Sequence, residues 1–275
     1  SLDVPVPNMN FRVKCCRVRA NSARECQPMS EMPEVAAAAK EPIFKAPGVV
    51  LILIGVFVAI HLVLQWAGED WRVWSLYAFA FIPARISGGE PFPAIYGSQV
   101  WSFLTYAFLH GSWSHLFSNC IWFLVFGTVV ARRLGTARFL VLCAITAICG
   151  AAALLITHWG DGGNVIGASG AVSGLMAAAT PLMFGKRILM FDPDGRREIG
   201  IVALKPFEIL SSRGAVVFLV VFFVATLYSG ATGWTGTSYI ENGTIAWEAH
   251  LGGFAAGLIA FYLLDRGRDL TSAHA

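Results

Sequence analysis

Six stretches of the chain are apolar over about the 20 residues that a helix needs to cross a lipid bilayer. Segments richer in polar residues, glycine and proline separate them. The second and fourth stretches are short and rich in small residues, which is typical of helices buried among other helices. The pattern predicts six transmembrane helices, at residues 47–66, 114–131, 139–157, 168–184, 214–230 and 246–264.

The composition excludes an ordinary soluble protein. Hydrophobic residues make up 56% of the chain and charged residues 13%, whereas soluble domains carry about 25% charged residues. The net charge is only +3, so we expect the lipid bilayer as a partner and no nucleic acid. The six cysteines have neither metal-ligand spacing nor an oxidising location, and we expect free thiols.

The basic residues predict the orientation of the helices. Eighteen of the twenty lysines and arginines lie before the first helix, in the second-to-third and fourth-to-fifth connections, or after the sixth helix. Only Arg72 and Arg85 lie on the opposite side. Because basic residues accumulate on the cytoplasmic side, the sequence predicts an all-α membrane protein, a bundle of six transmembrane helices with both termini cytoplasmic.

The chain divides into a core and two tails. Residues 1–45 are polar and are expected to form a disordered cytoplasmic tail, residues 46–265 form the six-helix core, and residues 266–275 form a short cytoplasmic tail. The external segment 67–113 contains four tryptophans and few charges, which favours a position in the membrane interface. The Gly- and Thr-rich connection 231–245 is expected to be a mobile cover.

Two further segments receive no function from the sequence. The turn signal Asp192-Pro193-Asp194-Gly195 predicts only a loop in the cytoplasmic connection 185–213. The phenylalanines of the fifth predicted helix, Phe218, Phe222 and Phe223, are expected to face lipid.

Polar side chains cluster at one depth of the predicted bundle. With a cytoplasmic N-terminus, the second, fourth and sixth helices all begin near the outer face. Each carries its polar group within about two turns of its start, at about 1.5 Å of rise per residue. Such residues in a membrane helix are candidates for a functional site. They are His110, His115 and Asn119 at the second helix, Gly167, Ser169 and Gly170 at the fourth, and His250 at the sixth.

Glycine spacing predicts that the fourth and sixth helices touch. Gly170 and Gly174 form a small-xxx-small pair in the fourth helix. Gly253 and Gly257 form another in the sixth. His250 shares a helix face with Gly253, three residues on. Because such rows let two backbones approach closely, we expect the imidazole to reach the serine of the fourth helix.

These residues supply the groups needed for acyl transfer. Ser169 can act as a nucleophile once His250 accepts its proton. His115 and Asn119, with the backbone N–H of Ser169, can donate hydrogen bonds to a developing oxyanion. Glu248 lies two residues from His250 and so on another side of its helix, which leaves no carboxylate to orient the imidazole. The sequence predicts a catalytic dyad.

Three motifs occur in order on the predicted helices. They are HxxxxHxxxN at His110, His115 and Asn119, GASGA at Gly167–Ala171, and AHxxGxxxG at Ala249, His250, Gly253 and Gly257. Each motif alone is modest, but the ordered set is highly specific. Together they resemble the rhomboid family of intramembrane serine proteases.

The resemblance covers roughly residues 46–265. It implies the six-helix core, a serine endopeptidase acting on transmembrane-helix substrates near the outer membrane face, and no metal or cofactor. We expect the location to be a bacterial cytoplasmic membrane. The resemblance implies Ser169 as nucleophile, His250 as base, His115 and Asn119 as oxyanion-hole donors, His110 as a structural residue, and Gly167, Gly170, Gly253 and Gly257 in support.

Two positions depart from the family pattern. The Trp-Arg pair often found before the second helix reads Trp101-Ser102 here. The aromatic residue often found four residues after the nucleophile, where it stacks on the catalytic histidine, is Ser173. Ser173 is also the rival nucleophile, although a serine in a membrane helix is more commonly an interhelical hydrogen-bond donor.

Three alternative functions are open to this sequence. A catalytically inactive relative could bind and escort membrane helices, but such a protein is expected to lose Ser169 or His250. A transporter should have related halves and polar groups near the midplane, and neither is evident. A zinc hydrolase could use His110, His115 and His250 as ligands, but the HExxH motif is absent.

Overall fold

The structure is a computed structural model and describes residues 46–88, 95–191, 197–232 and 246–265. Most of these residues are helical. In chain order the elements are α1 (Gly48–Trp66), α2 (Glu69–Phe79), α3 (Ala84–Ser87), α4 (Ser98–Thr105) with a 3₁₀ turn (Tyr106–Phe108), α5 (Trp113–Leu134), α6 (Thr136–Thr157), α7 (Ser169–Met183), β1 (Lys186–Phe191), β2 (Arg197–Val202), α8 (Pro206–Ser211), α9 (Arg213–Thr232) and α10 (Trp247–Leu264).

All six apolar stretches are helical, as α1, α5, α6, α7, α9 and α10. Four of them, α1, α5, α6 and α10, are long and apolar enough to cross a membrane. Helix α7 has 15 residues, and the apolar part of α9, Arg213–Tyr228, is also shorter. The helical membrane-protein class is therefore confirmed, whereas the six spans and the cytoplasmic termini stay predictions. Residues 1–45, 266–275 and most of 231–245 lie outside the described residues.

Helix α7 is the centre of the bundle. Twelve of its 15 residues are buried, and it packs against α5, α6 and α10. Nine of its 15 residues are alanine, glycine, serine or threonine, so neighbouring helices approach its backbone closely. The predicted burial of this helix is confirmed. The second predicted helix is not short, because α5 extends over 22 residues.

The contact between α7 and α10 is made by glycines. A Cβ atom on Gly253 would overlap the Gly170 carbonyl, and one on Gly257 would overlap the Gly174 carbonyl. A Cβ atom on Gly174 would in turn lie 2.9 Å from the Gly253 oxygen. The close approach predicted from the two small-xxx-small pairs is therefore confirmed.

Helices α3 and α4 are anchored to the C-terminal end of α2. Trp101 donates its indole N–H to the Ala78 carbonyl at 2.7 Å, and Thr105 donates its hydroxyl to Phe79 at 2.8 Å. Arg85 donates to the carbonyls of Tyr77 and Ala80. These bonds satisfy helix-end carbonyls that lack intrahelical partners. This chain has Ser102 where the family often has an arginine. The hydrogen bonds that anchor this part of the chain come instead from Trp101, Thr105 and Arg85.

The connection between α7 and α9 is more ordered than the sequence predicted. Strands β1 and β2 pair antiparallel, from Lys186 opposite Val202 to Phe191 opposite Arg197, and α8 follows. The prediction of only a loop at 185–213 is wrong, because runs rich in apolar residues, including isoleucine and valine, on both sides of a turn signal can pair as a hairpin. The turn residues 192–196 themselves lie outside the described residues.

The phenylalanines of α9 face the protein. Phe222 stacks on Phe254 of α10 with ring centroids 5.0 Å apart, and Phe218 lies 6.0 Å from Phe126 of α5. The prediction that they face lipid is wrong. Because α9 is apolar all round, its sequence does not mark the buried side. The exposed residues of α9 include four valines, Val217, Val220, Val221 and Val224.

We predict that Gly257→Val lowers the midpoint of thermal unfolding in detergent by several degrees. The new side chain would overlap the α7 backbone, and overpacking costs about 1–3 kcal/mol. The matched control is Gly55→Val in α1, where an added Cβ meets nothing within 4 Å. Equal midpoints for the two variants would contradict a tight α7–α10 contact.

Candidate active site

Ser169 is the first residue of α7 and is half-buried. The segment before it is held by the part of the chain between α2 and α5. Val165 and Phe81 exchange backbone hydrogen bonds of 2.8 and 3.0 Å, and the Gly167 N–H donates to the Tyr106 carbonyl at 2.9 Å. Ser169 therefore stands at a helix N-terminus, where the helix dipole favours negative charge.

Gly167 lies directly against the polar residues of α5. A Cβ atom there would be 2.6 Å from Nε2 of His115 and 3.8 Å from Nδ2 of Asn119. Its φ is +118°, in the region that favours glycine. The structure thus brings His115 and Asn119 beside the residue two positions before Ser169.

The start of α5 fixes the orientation of these two side chains. Ser112 caps the helix, its hydroxyl accepting from the His115 N–H at 3.2 Å. The Asn119 side chain is 5% exposed and donates to the His115 carbonyl at 3.1 Å. Its amide carries a second hydrogen that this bond does not use.

His250 lies in the first turn of α10, on the side that meets α7. Gly253, one turn later, contacts Gly170, which directly follows Ser169. His250 is also close enough to His115 for the two imidazoles to interact electrostatically. The polar groups that the sequence assigned to one depth therefore converge from α5, α7 and α10.

Ser169 and His250 are not hydrogen-bonded to each other in the described part of the chain. The helix contact places them as neighbours, with the hydroxyl and the imidazole outside bonding geometry. Catalytic hydrogen bonds without substrate are often long or poorly aligned and tighten in the Michaelis complex. The arrangement is compatible with a dyad that closes on substrate.

His110 belongs to the support of the site. It is 7% exposed, and its ring meets that of His115 edge-on at 5.2 Å. Burial, with the nearby His115 and His61, lowers the pKa of His110 to about 3, so its ring is neutral. The structural role predicted for it fits this packing.

His61 of α1 is a residue whose role the sequence did not reveal. Its Nδ1 lies 3.1 Å from the His110 carbonyl oxygen, and its Nε2 lies 3.4 Å from Nε2 of Gln65. The tautomer with hydrogen on Nδ1 satisfies both contacts, donating to the carbonyl and accepting from the amide. His61 and Gln65 are four residues apart on one helix face, and this spacing was the only sequence signal for the contact between them.

Tyr106 is a second residue that sequence reasoning missed. It is 1% exposed, and its hydroxyl donates to the Ala147 carbonyl of α6 at 2.9 Å. The same oxygen lies 2.9 Å from where a Cβ on Gly170 would be. Burial raises the pKa of Tyr106, which keeps it a donor. A tyrosine outside any motif gives no signal of such a role.

The zinc alternative has no ligand set in the structure. Within the described ranges, no three His, Cys, Asp or Glu side chains are grouped so that they could hold a metal ion. His110, His115 and His250 therefore do not form the site that a zinc hydrolase requires. Cys120, Cys143 and Cys149 are free thiols, as predicted, and the other three cysteines lie outside the described residues.

Sequence comparisons identify similar proteins. A family model described as Rhomboid domain matches residues 97–266. Rhomboid protease GlpG of Yersinia pestis (strain Pestoides F) is 35% identical over 82 residues, which are 28% of this chain and 27% of that protein. Rhomboid protease GlpG of Salmonella paratyphi A (strain ATCC 9150 / SARB42) is 25% identical over 210 residues, 76% of this chain and 59% of that protein. The matches thus span about a quarter of the Yersinia protein and somewhat over half of the Salmonella protein.

We predict that Gly167→Ala destabilises the protein more than Gly160→Ala does. Both glycines have positive φ, at +118° and +87°, so both variants pay for backbone strain of about 1–2 kcal/mol. Only at Gly167 would the new methyl group also contact the His115 ring at 2.6 Å. Thermal unfolding in detergent measures the difference, and a lower midpoint for Gly160→Ala would contradict this geometry.

Proposed function

Because the chain belongs to the rhomboid family, we propose that it is an intramembrane serine endopeptidase that cleaves transmembrane-helix substrates with a dyad of Ser169 and His250. The observation that carries the proposal is the convergence of three helices on one point. Gly167 fits against His115 and Asn119, and Gly170 fits against the face of α10 that carries His250. The similarity to the relatives named Rhomboid protease GlpG supports the same reaction.

The first half of the reaction forms an acyl-enzyme. His250 accepts the proton of the Ser169 hydroxyl while the oxygen attacks the carbonyl carbon of the scissile peptide bond. The tetrahedral intermediate carries its negative charge on the former carbonyl oxygen. When that intermediate collapses, the C–N bond breaks and His250 gives its proton to the leaving amine.

Water completes the reaction. His250 takes a proton from a water molecule, whose oxygen attacks the ester formed with Ser169. Collapse of the second intermediate releases the carboxylic acid product, and the proton returns to Ser169. The net reaction is hydrolysis of one peptide bond, so water must reach a site inside the bundle.

His115, Asn119 and the Ser169 backbone N–H are the proposed oxyanion donors. Nδ1 of His115 is buried without a hydrogen-bond partner among the described residues, and Nε2 faces Gly167. The tautomer with hydrogen on Nε2 puts a donor beside Ser169. Donors aimed at the position of the developing charge stabilise the transition state without reorganisation.

The length of α7 supports cleavage within the membrane. Its 15 residues rise about 22 Å, less than the hydrocarbon core of about 30 Å. With the C-terminal end of α7 at the cytoplasmic face, Ser169 stands below the outer face. We propose six spans with cytoplasmic termini in a bacterial inner membrane, which the basic residues of the connections support.

We predict that Ser169→Ala and His250→Ala each reduce cleavage of a model single-span substrate in liposomes by at least about 10³-fold. Ser173→Ala should keep most of the activity, because Ser173 is buried one turn below the proposed nucleophile. EDTA should have little effect. Full activity in Ser169→Ala, or its loss with EDTA, would contradict the mechanism.

The same assay tests the escort function. If the wild type binds several membrane substrates and cleaves none, the protein acts as an inactive binding or escort protein. A fluorophosphonate that fails to label Ser169 in the wild type would agree with that outcome.

We predict that Asn119→Ala lowers kcat by about 10²–10³-fold, the usual effect of removing an oxyanion-hole donor. KM should change little, because the lost interaction is made mainly in the transition state. Steady-state kinetics check this, and an unchanged thermal midpoint shows that the variant is folded. A rise in KM at constant kcat would assign Asn119 to substrate binding instead.

A further inference from the structure

Glu248 has an unusual position for an acidic residue. Among the residues whose burial the structure describes, it is the only carboxylate that is buried, at 9% exposure. It lies in the first turn of α10, two residues before His250. A buried carboxylate is unfavourable unless a partner compensates its charge, and neither the dyad nor the oxyanion donors use this one.

Its partner is His158, at the C-terminal end of α6. Oε1 of Glu248 lies 3.8 Å from Nδ1 of His158, an ion pair when the imidazole is protonated. The His158 side chain is 34% exposed, so it can exchange protons with water, whereas that of Glu248 is 10% exposed. The pair therefore joins the ends of two helices that lie on the same side of the site.

The neighbouring threonine also contacts Nδ1 of His158. The hydroxyl of Thr157 donates to the Leu154 carbonyl at 3.0 Å, and its oxygen lies 3.0 Å from Nδ1 of His158. With its hydrogen used in this way, the Thr157 oxygen can accept only from a hydrogen on Nδ1. That tautomer leaves Glu248, at 3.8 Å, an electrostatic contact with the same nitrogen and no hydrogen bond.

The contacts of α10 show why this pair bears on His250. Below the first turn, Gly253 fits against Gly170 of α7, and Gly252 fits against Ala153 and the Cys149 carbonyl of α6. These contacts hold the body of the helix. In the first turn itself, Ala249 is buried, with its carbonyl against Gly150 of α6. His250 follows directly, within a helix end, and helix ends fray unless they are tied down. Glu248 is the residue of that turn whose carboxylate lies beside an ionisable side chain of another helix.

We propose that Glu248 and His158 are a positioning pair, which fixes the first turn of α10 on α6 and so holds the His250 imidazole toward Ser169. In the family pattern an aromatic residue at the position of Ser173 stacks on the catalytic histidine. Ser173 has no ring, and in this chain the pair orients His250 instead. It acts through the helix backbone and touches neither substrate nor the reacting atoms. The inference rests on the proposed function of Ser169 and His250.

The test measures the chemical step and binding separately. Glu248→Gln and His158→Ala should each lower kcat, and the rate at which a fluorophosphonate labels Ser169, by about tenfold, since small misplacements of reacting groups strongly slow catalysis. KM should stay within about twofold. The matched control is Glu69→Gln, which removes an ion pair with Arg72 on the exposed surface of α2 and should leave both rates unchanged.

Two further variants separate positioning from general damage to the fold. His158→Lys keeps a cation opposite Glu248 and should restore most of the kcat that His158→Ala loses. The double variant Glu248→Gln/His158→Ala should be no slower than either single variant, because residues that act as a pair are not additive. All four variants should retain the wild-type thermal midpoint within a few degrees.

The outcomes separate this inference from the proposed function. If the wild type cleaves and is labelled while Glu248→Gln keeps the wild-type kcat, the positioning pair is overturned and the dyad stands. Additive losses in the double variant, or no recovery in His158→Lys, also overturn the pair. A wild type that neither cleaves nor reacts with the fluorophosphonate overturns the dyad and, with it, a pair that orients it.

Discussion

The site depends on backbone contact between α7 and α10. In lipid, helices gain little from burying apolar surface against each other, so close packing and interhelical hydrogen bonds must hold them together. Gly170 and Gly174 meet Gly253 and Gly257 with no room for a side chain. Ser169 directly precedes the first of these contacts, and His250 lies one turn before Gly253. The same glycines that pack the helices therefore bring the two proposed catalytic residues close to each other.

A second constraint acts from outside the bundle. The segment before Ser169 has no helix of its own, and its backbone is held by Phe81 and Tyr106. The segment that carries these two residues is in turn pinned to the end of α2 by Trp101 and Thr105. The position of the proposed nucleophile is therefore set jointly by a membrane helix and by a part of the chain that is not a membrane helix.

The sequence predicts those features that are local or repeat along a helix. Apolar length marks every helix of the core, and the spacing of Gly170, Gly174, Gly253 and Gly257 predicts the α7–α10 contact. The shared depth of Ser169, His115 and His250 also follows from chain direction and helix rise alone.

The features that the sequence does not reveal are long-range pairs. Tyr106 bonds to a residue 41 positions away, and His61 to one 49 positions away. Neither residue belongs to a pattern that identifies its partner. The side of α9 that packs inward is equally hidden, because a helix that is apolar throughout has no distinct buried face. The contact between His158 and Glu248 could not be predicted either, because the two residues lie at the ends of different helices and share no motif.

The distribution of charge explains why a dyad suits this position. Ionised groups are expensive inside a membrane protein unless they are paired. Arg133 makes a two-pronged contact with Asp265 at 2.9 and 3.0 Å where α5 and α10 end, and Glu248 meets His158 where α10 begins. Between these ends, the site residues Ser169, His115, Asn119 and His250 can all be neutral. A carboxylate bonded directly to His250 would place a permanent charge at the depth of the proposed nucleophile. In our proposal Glu248, at the start of α10, orients the imidazole through the backbone while its carboxylate lies beside the partly exposed His158.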